Sequence, residues 1–291
     1  MAAVRRLCAA LLVLSGMVST VTAHADDIAR TGGPYVPTPQ EVVDRMLELA
    51  EVGPRDYVID LGSGDGRMVV TAARRHGARG LGVELDPELV KRSIEDAERF
   101  GVADRVRFRV EDVTRTPLHE ATVITLYLLP GITRLLVPRF LAELAPGSRI
   151  VAHDFDLGDW KADREMTVDV NEKYGSVGTW KSRLFLYTVP ATIRGAWAVE
   201  TRGPHAERML LRIEQRYQEI TGTALLAGKS YVISSGRVRG SHVEFRLSAE
   251  NGASDAHYEG TIDSGGMQGV MERNGRRVAW SAARLSAAAA R

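Results

Sequence analysis

Three glycines at alternate positions are the first residues whose spacing indicates chemistry. Gly62, Gly64 and Gly66 follow a short apolar run that ends in Asp60, and a periodic apolar stretch begins at Arg67. Strand, glycine-rich turn and helix together form the nucleotide-binding opening of a doubly wound α/β domain. Glycine permits a tight turn and close approach of a ligand to the backbone. The following helix N-terminus adds oriented N–H groups.

Carboxylates at the ends of three predicted strands narrow the class of ligand. Asp60 ends the first strand, Glu84 the second, and Asp112 follows the third. Glu84 stands where an acid binds ribose hydroxyls in doubly wound folds. The dinucleotide fingerprint places its third glycine where this chain has Arg67. The pattern therefore favours a cationic ligand without phosphate and disfavours a nicotinamide-dependent oxidoreductase, which we keep as an alternative.

The segment from Asp60 to Arg67 resembles motif I of the class I S-adenosylmethionine (SAM) dependent methyltransferases. This resemblance implies that SAM is the cofactor and that Asp60 orients the glycine turn and the methionine ammonium. Glu84 is then expected to bind the ribose, and Asp112 to accept a hydrogen bond from the adenine amine. The residues expected to contact the cofactor are Tyr35, Asp60, Gly62, Ser63, Gly64, Gly66, Glu84 and Asp112.

The segment Tyr127-Leu128-Leu129-Pro130 follows the fourth predicted strand. It stands where methyltransferases that act on nucleobase amines carry Asn/Asp-Pro-Pro-Tyr/Phe, but here the acid or amide is missing, so no nucleic-acid substrate is expected. Together with the Pro-rich residues 34–39, it is similar to protein-lysine methyltransferases of the ATP-synthase c-subunit type and their bacterial relatives. The resemblance covers about residues 34–160 and implies N-methylation of a protein lysine or another amine.

Residues near the predicted acceptor channel are candidates for catalysis. We expect Tyr127, His153 and Asp154 to act in the reaction and Pro130 to contact the methyl acceptor, a protein or a small molecule. A lysine nucleophile must lose a proton, and burial or a neighbouring acceptor can lower its pKa. Although His153, Asp154 and Asp156 imitate a metal site, no second cluster has ligand spacing, and no metal is expected.

Alternating strands and helices should position these residues. Thr38 is predicted to cap a helix, with Pro39 at its first position and Glu41 completing a capping box. A later helix, over 131–144, should break or kink at Pro138. The five predicted strands are 57–59, 80–85, 105–110, 121–127 and 149–152. Such βα alternation predicts a mostly parallel, Rossmann-like doubly wound sheet.

The pattern changes after His153. Residues 156–182 are polar and suggest an irregular segment, 184–189 a strand that closes the sheet, and 207–219 an ambiguous helix. Short alternating runs separated by Asn-Gly and similar turns then predict an antiparallel β-meander, as a small barrel or sandwich. We therefore expect a methyltransferase domain over 41–189 and a β-rich domain over 190–291.

The N-terminus has the features of a targeting segment. Arg5 and Arg6 precede an apolar stretch, and Ala23-His24-Ala25 offers a cleavage site, so residues 1–25 are predicted to be a secretory signal peptide. Residues 26–40 form an extended Pro/Gly-rich arm. The protein should be exported, periplasmic or secreted, without a membrane span after cleavage; a mitochondrial presequence is the alternative.

Composition excludes several classes of protein. The 291 residues carry 38 basic and 37 acidic side chains, which does not indicate nucleic-acid binding. The single cysteine, Cys8, lies in the predicted signal, so the mature chain would lack thiolate chemistry. Because a source of SAM outside the cytoplasm is not obvious, an exported non-catalytic binding protein with a retained SAM-fold scaffold is an alternative.

Overall fold

The computed structural model describes residues 35–173, 175–203, 206–249 and 254–286. The predicted signal peptide and the first part of the arm, residues 26–34, lie outside the described residues. The chain divides into two compact units: residues 35–142 with 150–187, and residues 143–149 with 188–286. Each unit has its own hydrophobic core.

The first unit contains a seven-stranded sheet in the order β3-β2-β1-β4-β5-β7-β6. Strand β1 pairs in parallel with β2 and β4, and β2 pairs in parallel with β3. The strands are β1 (Tyr57–Leu61), β2 (Arg79–Glu84), β3 (Val106–Val110), β4 (Val123–Leu126), β5 (Arg149–His153), β6 (Arg164–Lys173) and β7 (Ser176–Thr188), and the helices are α1 (Gln40–Leu49), α2 (Arg67–His76), α3 (Pro87–Arg99) and α4 (Pro130–Glu143). This topology confirms the predicted Rossmann-like α/β fold.

The order of the strands explains where a ligand can bind. Strand β1 lies between β2 and β4, so the direction of strand addition reverses at β1. In open α/β sheets a crevice forms at such a switch point, outside the carboxyl ends of the strands. Asp60 near the end of β1 and Glu84 at the end of β2 therefore face the same crevice.

The N-terminal cap of α1 differs from the prediction. The N-cap of α1 is Pro39, with φ −53° and ψ 144° and no side-chain cap, so the predicted capping box at Thr38 and Glu41 is wrong. The Thr38 hydroxyl lies 3.3 Å from the Nδ1 atom of His153 instead. Helix α4 is continuous through Pro138, so the chain is not broken there, and a kink stays a prediction. Asp86 caps α3 by accepting a hydrogen bond from the Glu88 amide.

The prediction of an irregular segment over 156–182 is wrong. This region forms β6 and most of β7, an antiparallel pair at one edge of the sheet. Apolar residues in β6 do alternate, at Met166, Val168 and Val170, and they pack against the core beneath α1. The residues between them, Thr167 and Asp169, are polar and exposed, as expected for an edge strand.

The second unit is a closed antiparallel barrel of eight strands in the order β10-β11-β12-β13-β14-β15-β8-β9, in which β9 and β10 close the ring. The strands are β8 (Gly195–Thr201), β9 (Arg208–Arg216), β10 (Glu219–Leu226), β11 (Lys229–Arg239), β12 (His242–Ala249), β13 (Ser254–Asp263), β14 (Gly266–Arg273) and β15 (Arg276–Arg284). The predicted β-meander is therefore a barrel, and the ambiguous segment 207–219 is a strand.

Aromatic side chains fill part of the barrel interior. The rings of Phe245 and Tyr258 stack with centroids 4.7 Å apart, and Trp280 meets both rings edge-on. All three residues are almost fully buried. Across the described residues of the whole chain, no helix is long and apolar enough to span a membrane.

Candidate active site

A cavity of about 770 Å³ opens at the carboxyl ends of β1, β2 and β4. The eight predicted site residues that line it are Tyr35, Asp60, Gly62, Ser63, Gly64, Glu84, Asp112 and Tyr127. Gly66, Pro130, His153 and Asp154 are not among its lining residues. The structure thus brings the predicted cofactor residues together, with Tyr127 at the same cavity.

The glycine turn has a backbone that other residues rarely adopt. Gly62, Gly64 and Gly66 have φ values of 79°, 54° and 77°, all in the left-handed region. A Cβ atom on Gly64 would clash with the ring of Tyr35, and one on Gly66 would lie 2.7 Å from the Cβ atom of Ser93. Gly66 does not line the cavity, but it lets the chain enter α2 and permits close packing.

The Glu84 carboxylate fastens the turn from the end of β2. Its Oε2 atom accepts a hydrogen bond from the Gly64 amide at 3.0 Å, and Oε1 accepts from the Leu85 and Asp86 amides at 2.7 and 3.1 Å. An ionised carboxylate offers about four acceptor positions. Three of these positions accept from the backbone, so Glu84 can hold the turn and still accept a hydrogen bond from a hydroxyl group of a ligand.

Asp60 is the most electrostatically perturbed group in the cavity. Its Oδ1 atom accepts a hydrogen bond from the Thr125 hydroxyl at 2.7 Å. Burial raises the pKa of the Asp60 carboxyl to about 7, and the negative charges of Glu84 and Asp65 add to this effect, while the Thr125 hydrogen bond opposes it. A cationic ligand would reverse the shift, because opposite charge favours the ionised carboxylate.

An ion pair missed in the sequence links the arm to the turn. Arg67 donates to both oxygens of Asp65, from Nε at 2.8 Å and from Nη2 at 2.6 Å, and its Nη1 donates to the Thr38 carbonyl at 2.8 Å. Burial alone raises the pKa of Asp65, but the hydrogen bonds and charge of Arg67 outweigh burial and lower it. The Tyr35 ring lies over Gly64, and burial together with the negative charge of Asp65 raises the pKa of its hydroxyl. The arm thus covers the turn.

Asp112 is held by the loop that follows β3. Its Oδ1 atom accepts hydrogen bonds from the Thr114 amide at 2.8 Å and from the Thr114 hydroxyl at 2.7 Å. Leu85 and Val113 line the cavity as well and supply apolar surface. A carboxylate beside apolar side chains can receive a planar base that carries an amine.

Tyr127 rests on a buried histidine. The rings of Tyr127 and His153 have centroids 4.0 Å apart. The His153 nitrogens lie 3.3 Å from the Thr38 hydroxyl and 3.0 Å from the Ser182 hydroxyl. Burial lowers the pKa of His153 to about 4, although the charge of Asp154 opposes this. His153 is therefore neutral near pH 7, with both nitrogens engaged, and it supports Tyr127 from outside the cavity.

Asp154 and Pro130 lie away from the cavity lining. Asp154 has a left-handed φ of 62° and pairs with the buried Lys173, whose Nζ atom is 2.6 Å from Oδ2. Burial raises the pKa of Asp154, but the hydrogen bond from Lys173 outweighs it, so the carboxylate stays ionised. Pro130 is exposed at the start of α4, and Leu128 and Ile132 line the cavity beside it.

Comparison with known proteins identifies the family. The model of the ANTKMT methyltransferase domain matches residues 60–164. A protein-lysine N-methyltransferase from Saccharolobus islandicus (strain REY15A) is 39% identical over 137 residues, which span 47% of this chain and 85% of that relative. The chain belongs to the class I SAM-dependent methyltransferases. SAM is therefore the cofactor of this enzyme, which is not a nicotinamide-dependent oxidoreductase.

Two further matches differ in how much of this methyltransferase they cover. A ribosomal protein L11 methyltransferase from Salmonella arizonae is 42% identical over 48 residues, 16% of each chain. A solved RNA methyltransferase from Salinibacter ruber, in complex with S-adenosyl-L-homocysteine, has 49% identity and a TM-score of 0.49, and covers 54% of this chain and 96% of that chain.

The cavity of this methyltransferase fits SAM in charge. Asp60, Glu84 and Asp112 bring negative charge to this cavity, which suits a ligand with a sulfonium and an ammonium group and no phosphate. Burial raises the pKa of Asp60, and a bound cation would lower it again. Ser63 lines the cavity, but its hydroxyl packs against β2, where a Cβ atom on Gly82 would lie 2.7 Å away. Its contribution to the site is therefore its place in the turn.

Several lining residues of the methyltransferase were missed in the sequence. Arg67 follows the third glycine and departs from the dinucleotide fingerprint, and its spacing also places it beside Asp65. Apolar lining residues give no local signal, because their pattern is that of any buried strand end or helix. The missed lining residues include Thr38, Asp65, Arg67, Met68, Leu85, Arg115, Leu128 and Ile132.

Proposed function

We propose that this methyltransferase transfers the SAM methyl group to the side-chain amine of a protein lysine. The observation that carries the proposal is the 39% identity to a protein-lysine N-methyltransferase across 85% of that relative. The acceptor side of the cavity supports it, because Tyr127 and Leu128 stand where a nucleobase methyltransferase would present an acid or amide.

The chemistry needs little from the protein beyond placement. SAM supplies a methyl group on a sulfonium, which is a good leaving group. The amine lone pair forms the new N–C bond as the C–S bond breaks, the electron pair goes to sulfur, and the amine loses one proton. Holding the reacting atoms in line and excluding water account for most of the acceleration in such a displacement.

Tyr127 is the residue we place against the acceptor amine. It is half-buried at the end of β4, lines the cavity and is supported by His153 from below. An aromatic face attracts a cationic amine, and burial of the amine lowers its pKa towards the neutral, nucleophilic form. Because both nitrogens of His153 are engaged, the amine proton leaves towards solvent rather than to this imidazole.

Labelled methyl transfer tests the proposal. The purified methyltransferase is incubated with isotopically labelled SAM and a protein extract, and modified residues are located by mass spectrometry. We expect label on lysine side chains, loss of transfer in Tyr127→Ala with SAM binding retained, and normal transfer in Leu135→Ala, which changes an exposed residue of α4. Label on nucleic acid or on other side chains, or transfer unaffected by Tyr127→Ala, would contradict the proposal.

We also propose that the enzyme is exported by the segment 1–25. The support is the sequence pattern of Arg5 and Arg6, the apolar stretch and the site after Ala25. Mass spectrometry of the protein from fractionated cells should find an N-terminus at Asp26 in the envelope or medium. An intact Met1 in the cytoplasm, or accumulation in mitochondria, would contradict export.

A further inference from the structure

Arg139 of α4 forms hydrogen bonds with the loop that follows β3. Arg139 donates from Nη1 to the Thr114 carbonyl at 2.7 Å and to the Val113 carbonyl at 3.4 Å, and from Nη2 to the Thr116 carbonyl at 2.6 Å. Guanidinium is a planar fork of five donors, which suits several carbonyls in one turn of chain. A lysine ammonium at the same position would act as one point charge.

The same loop holds Asp112. Thr114 donates to the Asp112 carboxylate from both its amide and its hydroxyl, and the Arg115 amide donates to the Asp112 carbonyl at 2.9 Å. The Thr116 hydroxyl lies 3.3 Å from the same carbonyl. A continuous set of hydrogen bonds therefore runs from the guanidinium through the loop to the carboxylate.

Helix α4 also forms part of the cavity wall. Ile132 lines the cavity, and Arg139 stands seven residues later, on the same face of the helix. The helix is fixed to the core by Leu136 and Phe140, which are fully buried. Arg139 thus ties the Asp112 loop to a rigid element.

We propose that Arg139 is a positioning residue that sets the selectivity of this enzyme for the adenine base of its cofactor. It fixes the Asp112 carboxylate where it accepts a hydrogen bond from the exocyclic amine. The inference rests on the proposed adenine contact of Asp112 and is independent of which acceptor is methylated. Arg139 does not line the cavity and acts through Asp112.

Two ligands that differ at the amine isolate this role. S-adenosylhomocysteine carries the exocyclic amine, and S-inosylhomocysteine has a carbonyl in its place and a proton on the adjacent ring nitrogen. The carboxylate accepts from the amine and repels the carbonyl oxygen. A hydrogen bond to a charged group typically contributes enough to discriminate by about tenfold to a hundredfold, and we expect the wild-type methyltransferase to prefer S-adenosylhomocysteine by that factor.

The test is calorimetric titration of the full chain with each ligand. Arg139→Met should cut the preference at least about fivefold, because a loosened carboxylate no longer favours the amine. The preference of Arg139→Lys should lie between those of the wild type and of Arg139→Met. Arg134→Met is the matched control, since Arg134 is exposed on the same helix, and it should keep the full preference. General loss of stability would weaken both ligands equally and leave the ratio unchanged.

Asp112→Ala separates the two ways of failing. If Asp112→Ala abolishes the preference and both Arg139 variants keep it, the role of Arg139 is overturned and the adenine contact stands. If Asp112→Ala keeps the preference, the adenine contact of Asp112 and the role of Arg139 are both overturned. Labelled transfer to lysine is measured separately, so its outcome does not alter either conclusion.

Discussion

At the scale of single residues, we expect Asp60 to make SAM binding by this methyltransferase depend on pH. Without a bound cation its pKa is about 7, mainly because it is buried. SAM brings positive charge to the cavity and lowers that pKa, so binding below pH 7 must expel a proton. Above pH 7 the carboxylate is already ionised and no proton is released.

We therefore predict that SAM affinity rises with pH through 7. Below that value the dissociation constant should increase by about tenfold per pH unit, the limit for release of one proton. Calorimetry at pH 6, 7 and 8 in buffers of different ionisation enthalpy measures both the affinity and the protons released. Asp60→Asn should bind SAM weakly and show no such dependence. Equal affinity in the wild type at pH 6 and 8 would contradict the role of Asp60.

The same group should reduce the stability of the free enzyme at high pH. A carboxyl whose folded-state pKa is raised binds more protons folded than unfolded between about pH 4 and 7, so stability falls as pH rises through this range. Asn keeps an oxygen for the Thr125 hydroxyl but has no charge. Asp60→Asn should raise the melting temperature at pH 8 more than at pH 5. If Asp60→Asn melts at a lower temperature than the wild type at pH 8, other groups of the protein must stabilise the buried charge of Asp60.

We infer that His153 supports Tyr127 rather than taking a proton. We predict that His153→Phe, which leaves the partly buried Thr38 hydroxyl and the buried Ser182 hydroxyl without that partner, lowers kcat/KM for the acceptor while the dissociation constant of SAM changes less than about twofold. If kcat/KM falls at low pH in the same way in the wild type and in His153→Phe, His153 is not the base. His119→Phe, at an exposed site, is the control. Loss of an inflection only in His153→Phe would restore the catalytic assignment.

The residue types and spacing of the cofactor site could be predicted from the sequence, but the acceptor side could not. Asp60, Glu84 and Asp112 each end a strand, and parallel strands bring such ends together. His153 also ends a strand, but whether it faces a cavity or the core depends on Ser182 and Tyr127, which are distant in sequence. The position of the histidine alone contains no information about those partners.

At the scale of elements, the arm and α2 act together. Arg67 begins α2, holds Asp65 in the glycine turn and donates to the Thr38 carbonyl in the arm. Tyr35 then covers Gly64. These contacts make the arm part of the cofactor cavity and predict that it slows the escape of a bound ligand.

We predict that Arg67→Met speeds dissociation of SAM by about tenfold, because it removes the hydrogen bonds that join the glycine turn to the arm. Charge-assisted hydrogen bonds of this kind contribute about 1.5 to 3 kcal/mol each. Stopped-flow displacement of bound SAM measures the rate. Arg75→Met, which removes an exposed ion pair with Asp44 from the same helix, is the control and should leave the rate unchanged. Equal rates in all three proteins would mean that the arm does not retain the ligand.

The edge of the sheet shows why some elements escape prediction. Strand β6 has apolar residues at alternate positions, Met166, Val168 and Val170, but this short run lies within a largely polar stretch. Lys173 ends this strand in a buried ion pair with Asp154, a residue nineteen positions earlier. A buried lysine contradicts the usual sequence rule and is explained only by a partner that the fold supplies.

At the scale of the whole molecule, two units with separate cores follow from two kinds of sequence period. The βα alternation gives the parallel part of the first sheet, and regular Asn-Gly and similar turns give the antiparallel strands of the second unit. Closure into an eight-stranded barrel could not be predicted, because it depends on the pairing of β9 with β10 and of β8 with β15 around the ring. The methyltransferase cavity lies within the first unit.

A calorimetric titration with SAM that compares the wild type with Glu84→Ala tests whether this cavity binds the cofactor. Glu84 both faces the cavity and holds the Gly64 amide, so its loss should weaken binding by at least about tenfold. Glu88→Ala, in the first turn of α3 and outside the cavity lining, should bind as the wild type does. If wild type binds neither SAM nor S-adenosylhomocysteine, or if Glu84→Ala binds equally well, this cavity is not the cofactor site.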